Sequence, residues 1–95
     1  MQLKEISDLY EVTYLLLKGC ELKEVRCIPV SEGLSCLFTF TGEDIEESLY
    51  EVHIGRASVN LTAFREAYSR VNTYIREAKK NYDRKRRELR KEVIL

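Results

Sequence analysis

Histidine occurs once in this sequence, as His53, so neither a multi-histidine metal site nor a histidine pair can be assembled. Cysteine is scarce and odd in number: Cys20, Cys27 and Cys36, with no Cys-x-x-Cys pair. The count argues against a disulfide framework and the spacing against a zinc ribbon. The four glycines, Gly19, Gly33, Gly42 and Gly55, stand singly at element boundaries, which leaves no phosphate-cradling loop. The acidic run Glu43, Asp44, Glu46 and Glu47 lacks the alternating spacing of a calcium loop and reads as a solvated helix face. No nucleophile–base pair or cofactor motif can be put together. The chain therefore reads as non-enzymatic, with no catalytic, cofactor-binding or metal-binding residue. Long apolar runs are missing as well. Met1 to Lys18 is broken by Lys4, Glu5, Asp8 and Glu11, so that stretch offers neither a signal-peptide core nor a membrane span. A reducing cytoplasm is the expected setting.

What is present is enough for one core. The chain has 95 residues, 44% hydrophobic and 34% charged, the profile of a single folded domain. Its net charge of zero hides a split. Residues 1–58 hold five basic and eleven acidic residues, a balance of −6, and residues 59–95 hold eleven basic and five acidic, a balance of +6. Such asymmetry points to a basic surface for an acidic partner, or to two halves that attract each other.

The pattern predicts an α+β fold: a helix, a two-stranded antiparallel β-hairpin, a short helix and a long C-terminal helix. The first helix spans about Asp8 to Lys18, with Asp8 and Glu11 as a capping box and Gly19 as C-terminal cap. The hairpin pairs a strand of about Lys23 to Val30 with one of about Leu34 to Thr41. With Glu32-Gly33 as its loop, Cys27 opposes Phe38 and Val25 opposes Phe40. That register gathers Val25, Cys27, Pro29, Cys36, Phe38 and Phe40 on the core face and turns Glu24, Arg26, Thr39 and Thr41 outward. It makes Cys27 and Cys36 diagonal neighbours, so all three thiols are expected free. Ile45, Leu49 and Val52 form the stripe of the short helix, which Gly55 ends.

The last helix is the strongest signal. Phe64, Ala67, Tyr68, Val71, Ile75, Ala78 and Tyr82 recur at steps of three and four behind an Asn60 cap. Neither Gly nor Pro occurs after that cap. A helix from Leu61 to about Val93 would be roughly 50 Å long, against a diameter of about 32 Å for a compact domain of this size. It must overhang. The expected division is a compact domain at 1–82 and a basic helical extension at 83–95.

The element order and several motifs resemble a family of small bacterial and phage proteins catalogued only as a domain of unknown function. The matching residues are Ser7-Asp8-Leu9-Tyr10, Lys18-Gly19, Phe38-Thr39-Phe40, and Val59-Asn60 with Phe64. The resemblance implies a microbial or phage origin and no assigned activity. The basic tail from Asp83 lies outside it.

Function is read from that tail. Lys79, Lys80, Arg84, Lys85, Arg86, Arg87, Arg90 and Lys91 are the candidate contacts for a partner protein or a nucleic acid. They cover every helix face rather than one groove-facing stripe, and Glu88 and Glu92 dilute them, so nucleic-acid binding is expected to be weak and sequence-blind. Tyr82, Leu89 and Val93 continue the apolar phase and are the candidates for self-association, with a homodimer on the last helix as the expected assembly. The leading expectation is a protein–protein interaction module of phage or mobile-element origin; the alternative is a nucleic-acid-binding accessory protein. No cofactor and no membrane partner is expected.

Overall fold

The computed structural model describes residues 1–94, and the side chains of residues 1–89. Its elements in chain order are β1 (Gln2–Ile6), α1 (Leu9–Leu17), β2 (Glu21–Val30), β3 (Gly33–Gly42), α2 (Ile45–His53) and α3 (Leu61–Ile94). The class is the expected α+β, but the sheet has three antiparallel strands in the order β1-β3-β2, not two. The central strand is β3. A central strand needs a partner on each edge for its backbone groups, and β1 supplies the second, running from Gln2 opposite Gly42 to Ile6 opposite Phe38.

Local chemistry sets the element ends. The Asp8 half of the expected capping box forms: its Oδ1 accepts from the Tyr10 and Glu11 N–H groups at 2.9 and 3.0 Å. At the other end Gly19 takes φ +86°. The Cys20 and Gly19 N–H groups then reach the Leu15 and Leu16 carbonyls, both at 3.1 Å, which satisfies carbonyls the helix would leave orphaned. Asn60 caps α3, its Oδ1 accepting from Ala63 N–H at 3.0 Å. Asp44 makes no such bond for α2. Gln2 of β1 does so instead, accepting from Glu46 N–H at 2.8 Å.

The hairpin register differs from expectation by two residues. The loop is Ser31-Glu32, and Gly33, at φ +131°, already belongs to β3. Val25 therefore opposes Phe38, and Cys27 directly opposes Cys36. Side chains alternate with a period of two, so a two-residue slip changes every partner but no face. Phe38, Phe40, Cys27 and Cys36 are buried as expected, Val25 is half-buried, Arg26 faces solvent, and Pro29 is exposed. An irregularity between Leu22 and Glu24 shifts the pairing by one residue beyond it.

All three helices contribute to one core. Val12 and Leu15 of α1, Ile45 of α2, Val71 of α3 and Phe38 and Phe40 of β3 are fully enclosed. Tyr10, Phe64 and Tyr68 stack at 5.9–6.1 Å between ring centres and fasten α1 to the start of α3. Tyr14 of α1 reaches α2, donating its hydroxyl to Glu51 Oε2 at 2.5 Å. The expected overhang is present. The molecule measures 55 × 28 × 23 Å, with a radius of gyration of 15.7 Å, where a compact chain of this length would have about 12 Å.

Candidate functional site

The overhanging end of α3 begins where its stripe runs out of core. Tyr74, Ile75, Ala78 and Tyr82 pack against the buried cluster, whereas every residue from Asp83 to Leu89 is exposed. Tyr82 is thus engaged by its own domain and is only partly free for a second copy. Leu89 holds the same helical phase but is 62% exposed. The side chains of Arg90, Lys91 and Val93, three more candidates, lie outside the described residues, as does Leu95.

The basic candidates separate around the helix. Lys79 and Lys85 stand on opposite flanks, each lining a cleft between α3 and the sheet. Lys80, Arg84 and Arg87 share the outward face with Asp83, around a shallow recess of about 310 Å³. Arg86 is exposed on the helix surface. Arg84 donates to Asn81 Oδ1 at 3.4 Å, a long and weak contact.

Ion pairing decides which charges are left over. Lys4 pairs with Glu46 at 3.0 Å, Lys18 with Glu51 at 4.0 Å, Lys23 with Glu21 at 2.9 Å and Arg26 with Glu5 at 3.4 Å. Four of the five basic residues before position 59 are thereby used within their own half. Among the described residues, no ion pair joins α3 to the globule and no basic residue of α3 is paired. Among the described residues, the two halves are not joined to each other by charge. Glu43, Asp44 and Glu47, at the start of α2, remain exposed and outside any of these pairs. Their run looked like a solvated helix face in the sequence; its standing as an unneutralised acidic cluster required the pairing to be known.

Three titrating groups are displaced by their surroundings. The Glu51 carboxylate accepts a hydrogen bond from the Tyr14 hydroxyl, and with burial this pushes that phenol up to about 12. Burial, then repulsion from Asp44, pushes the Cys20 thiol up, partly offset by Lys18. Burial, then the hydrogen bond with Cys27, pushes the Cys36 thiol up to about 11. All three cysteines are free. His53 is exposed at the end of α2. Among the described residues, no group of three or more His, Cys, Asp or Glu side chains is placed to hold a metal ion. No helix among them is long and apolar enough to cross a membrane.

In comparisons with known proteins, the chain matches no family model, no curated protein and no solved structure.

Proposed function

We propose that this chain is a non-enzymatic protein–protein interaction module whose first partner is a second copy, bound through the overhanging end of α3. The observation that carries the reading is the unneutralised charge. A basic helix end from Lys79 to Arg87 extends from the globule without an ion pair, and the same chain exposes Glu43, Asp44 and Glu47. Two copies related by a two-fold axis satisfy both patches twice, and closed two-fold dimers are the commonest assembly. Leu89, exposed and in phase with the buried stripe, gives the contact an apolar element. A cytoplasmic setting and a phage or mobile-element origin belong to the same reading.

Sedimentation velocity at tens of micromolar tests it. The dimer should weaken as salt rises through the physiological range, because exposed charges are screened within about 10 Å at 0.1 M. Reversing Arg84, Arg86 and Arg87 to Glu should yield a monomer. A chain that is monomeric at every salt concentration overturns the reading.

The alternative is a nucleic-acid-binding accessory role, favoured by the shared outward face of Lys80, Arg84 and Arg87. Four to six phosphate contacts would weaken binding by roughly two to three decades between about 50 and 200 mM salt. Sub-micromolar affinity at physiological salt, lost with Arg84, Arg86 and Arg87, would replace the protein-partner reading with this one.

A further inference from the structure

Cys27 and Cys36 sit directly opposite one another on adjacent strands, with their sulfur atoms 3.2 Å apart. The pair next to the loop side, Pro29 opposite Leu34, indicates its kind. Proline lacks an N–H, which suits an outward-facing, non-hydrogen-bonded position on an edge strand such as β2. Two residues along, Cys27 and Cys36 occupy the same kind of pair. Opposed α-carbons there stand about 4.5 Å apart, inside the range that a disulfide spans. Their sulfur atoms are already in contact.

Both thiols are reachable, although they are only 9% and 8% exposed. Helix α3 lies across them and leaves an opening on each side. On one flank a cleft of about 200 Å³ is lined by Cys27, Ala78, Tyr82 and Lys85. On the other, a cleft of about 220 Å³ is lined by Cys36, Leu9, Ile75 and Lys79. Each is roomy enough for a molecule of a few heavy atoms, and each carries one lysine at its wall. We propose that Cys27 and Cys36 form a built-in dithiol that small hydroperoxides oxidise to an intramolecular disulfide, with Cys20 taking no part.

The step balances in two stages. The Cys27 thiolate attacks the outer peroxide oxygen, the O–O bond breaks, and the alkoxide or hydroxide leaves with a proton, giving a sulfenic acid on Cys27. Cys36 then attacks that sulfur, the S–O bond breaks, and water departs with the second proton. Two electrons and two protons pass from the thiols to the peroxide, which ends as an alcohol and water. The Cys36 thiol, pushed up to about 11 chiefly by burial, is the poorer opening nucleophile. With Cys27 attacking first, Cys36 closes the bond from a position already in contact.

The test uses the folded chain and hydrogen peroxide. After brief treatment, free thiols are blocked with a maleimide and the protein is cut after Glu32, which lies between the two cysteines. The expected result is a linked peptide pair joining Cys27 to Cys36, an intact mass lower by about 2 Da for the two hydrogens lost, and full reversal by dithiothreitol. Cys20→Ser should behave as the native chain does. Cys36→Ser should stop at an oxygen adduct or a mixed disulfide on Cys27. Because either serine variant could misfold, the native chain is also oxidised in urea. Linkage at least tenfold slower in urea than in the folded state supports a prearranged pair. Linkage only in urea, or oxidation confined to Cys20, overturns the proposal.

Discussion

Replacing Tyr14 by Phe removes one oxygen atom and tests how α1 is held to α2. The Tyr14 hydroxyl donates to Glu51 Oε2 at 2.5 Å from a residue that is 4% exposed. A hydrogen bond to a charged group contributes about 1.5–3 kcal/mol. The Glu51 side chain is 41% exposed and is shared with Lys18 at 4.0 Å, so solvent screening places the loss at the low end, about 1–2 kcal/mol. The same contact raises the phenol from 10.0 to about 12 and so makes its contribution depend on pH. The folded state keeps the proton up to about pH 12, while the unfolded chain releases it from about pH 10. This contribution is therefore complete below pH 10 and is lost as pH rises from about 10 to about 12. Urea unfolding followed by far-UV circular dichroism should show Tyr14→Phe less stable by about 1–2 kcal/mol at pH 8. Its alkaline limb above pH 10 should be correspondingly flatter. A double-mutant cycle with Glu51→Gln isolates the pair. Equal stability at pH 8 together with an unchanged alkaline limb would refute the reasoning.

Phe38→Ala, which empties a fully buried position on β3, should cost about 3–5 kcal/mol in urea unfolding. Arg26→Ala on the opposite face loses only a surface ion pair with Glu5 and should cost at most about 1 kcal/mol; the reverse ranking would mean that the sheet faces are misassigned. Asp8→Ala strips two N–H groups of their acceptor and should lower the thermal midpoint by the equivalent of about 1 kcal/mol. Among the described residues the Thr41 hydroxyl is buried without a hydrogen-bond partner. Thr41→Val should therefore match or exceed the native stability, by about 1 kcal/mol at most, and a clear loss would show that the hydroxyl has a partner.

The helices were legible because their signals are local. Asp8, Gly19, Asn60 and Gly55 mark boundaries through their own backbone preferences, and the α3 stripe repeats from Phe64 to Tyr82 without interruption. The short strand β1 was not legible for the opposite reason. Of its five residues only Ile6 is buried, and Lys4 sits on the core-side row but turns to Glu46 at the sheet edge. No alternation survives that arrangement. The hairpin faces could be read because side-chain direction has a period of two. The partners could not, since Glu32-Gly33 and Ser31-Glu32 are both two-residue loops and leave the same residues inward. That ambiguity concealed the thiol pair. The basic candidates on α3 were visible as composition, but their lack of ion-pair partners among the described residues rests on where the fold places the carboxylates. Pairing of that kind is a tertiary fact.

The central claim is that the overhanging end of α3 joins two copies. Ending the chain after Tyr82 removes it while sparing every described residue that packs on the core. Sedimentation equilibrium of the full and shortened chains, at the same tens-of-micromolar concentration and physiological salt, is the direct comparison. The account predicts a dimer mass for the full chain and a monomer mass for the shortened one, with matching far-UV spectra per residue of folded domain. A full chain that sediments as a monomer, or a shortened chain that still sediments as a dimer, would contradict it.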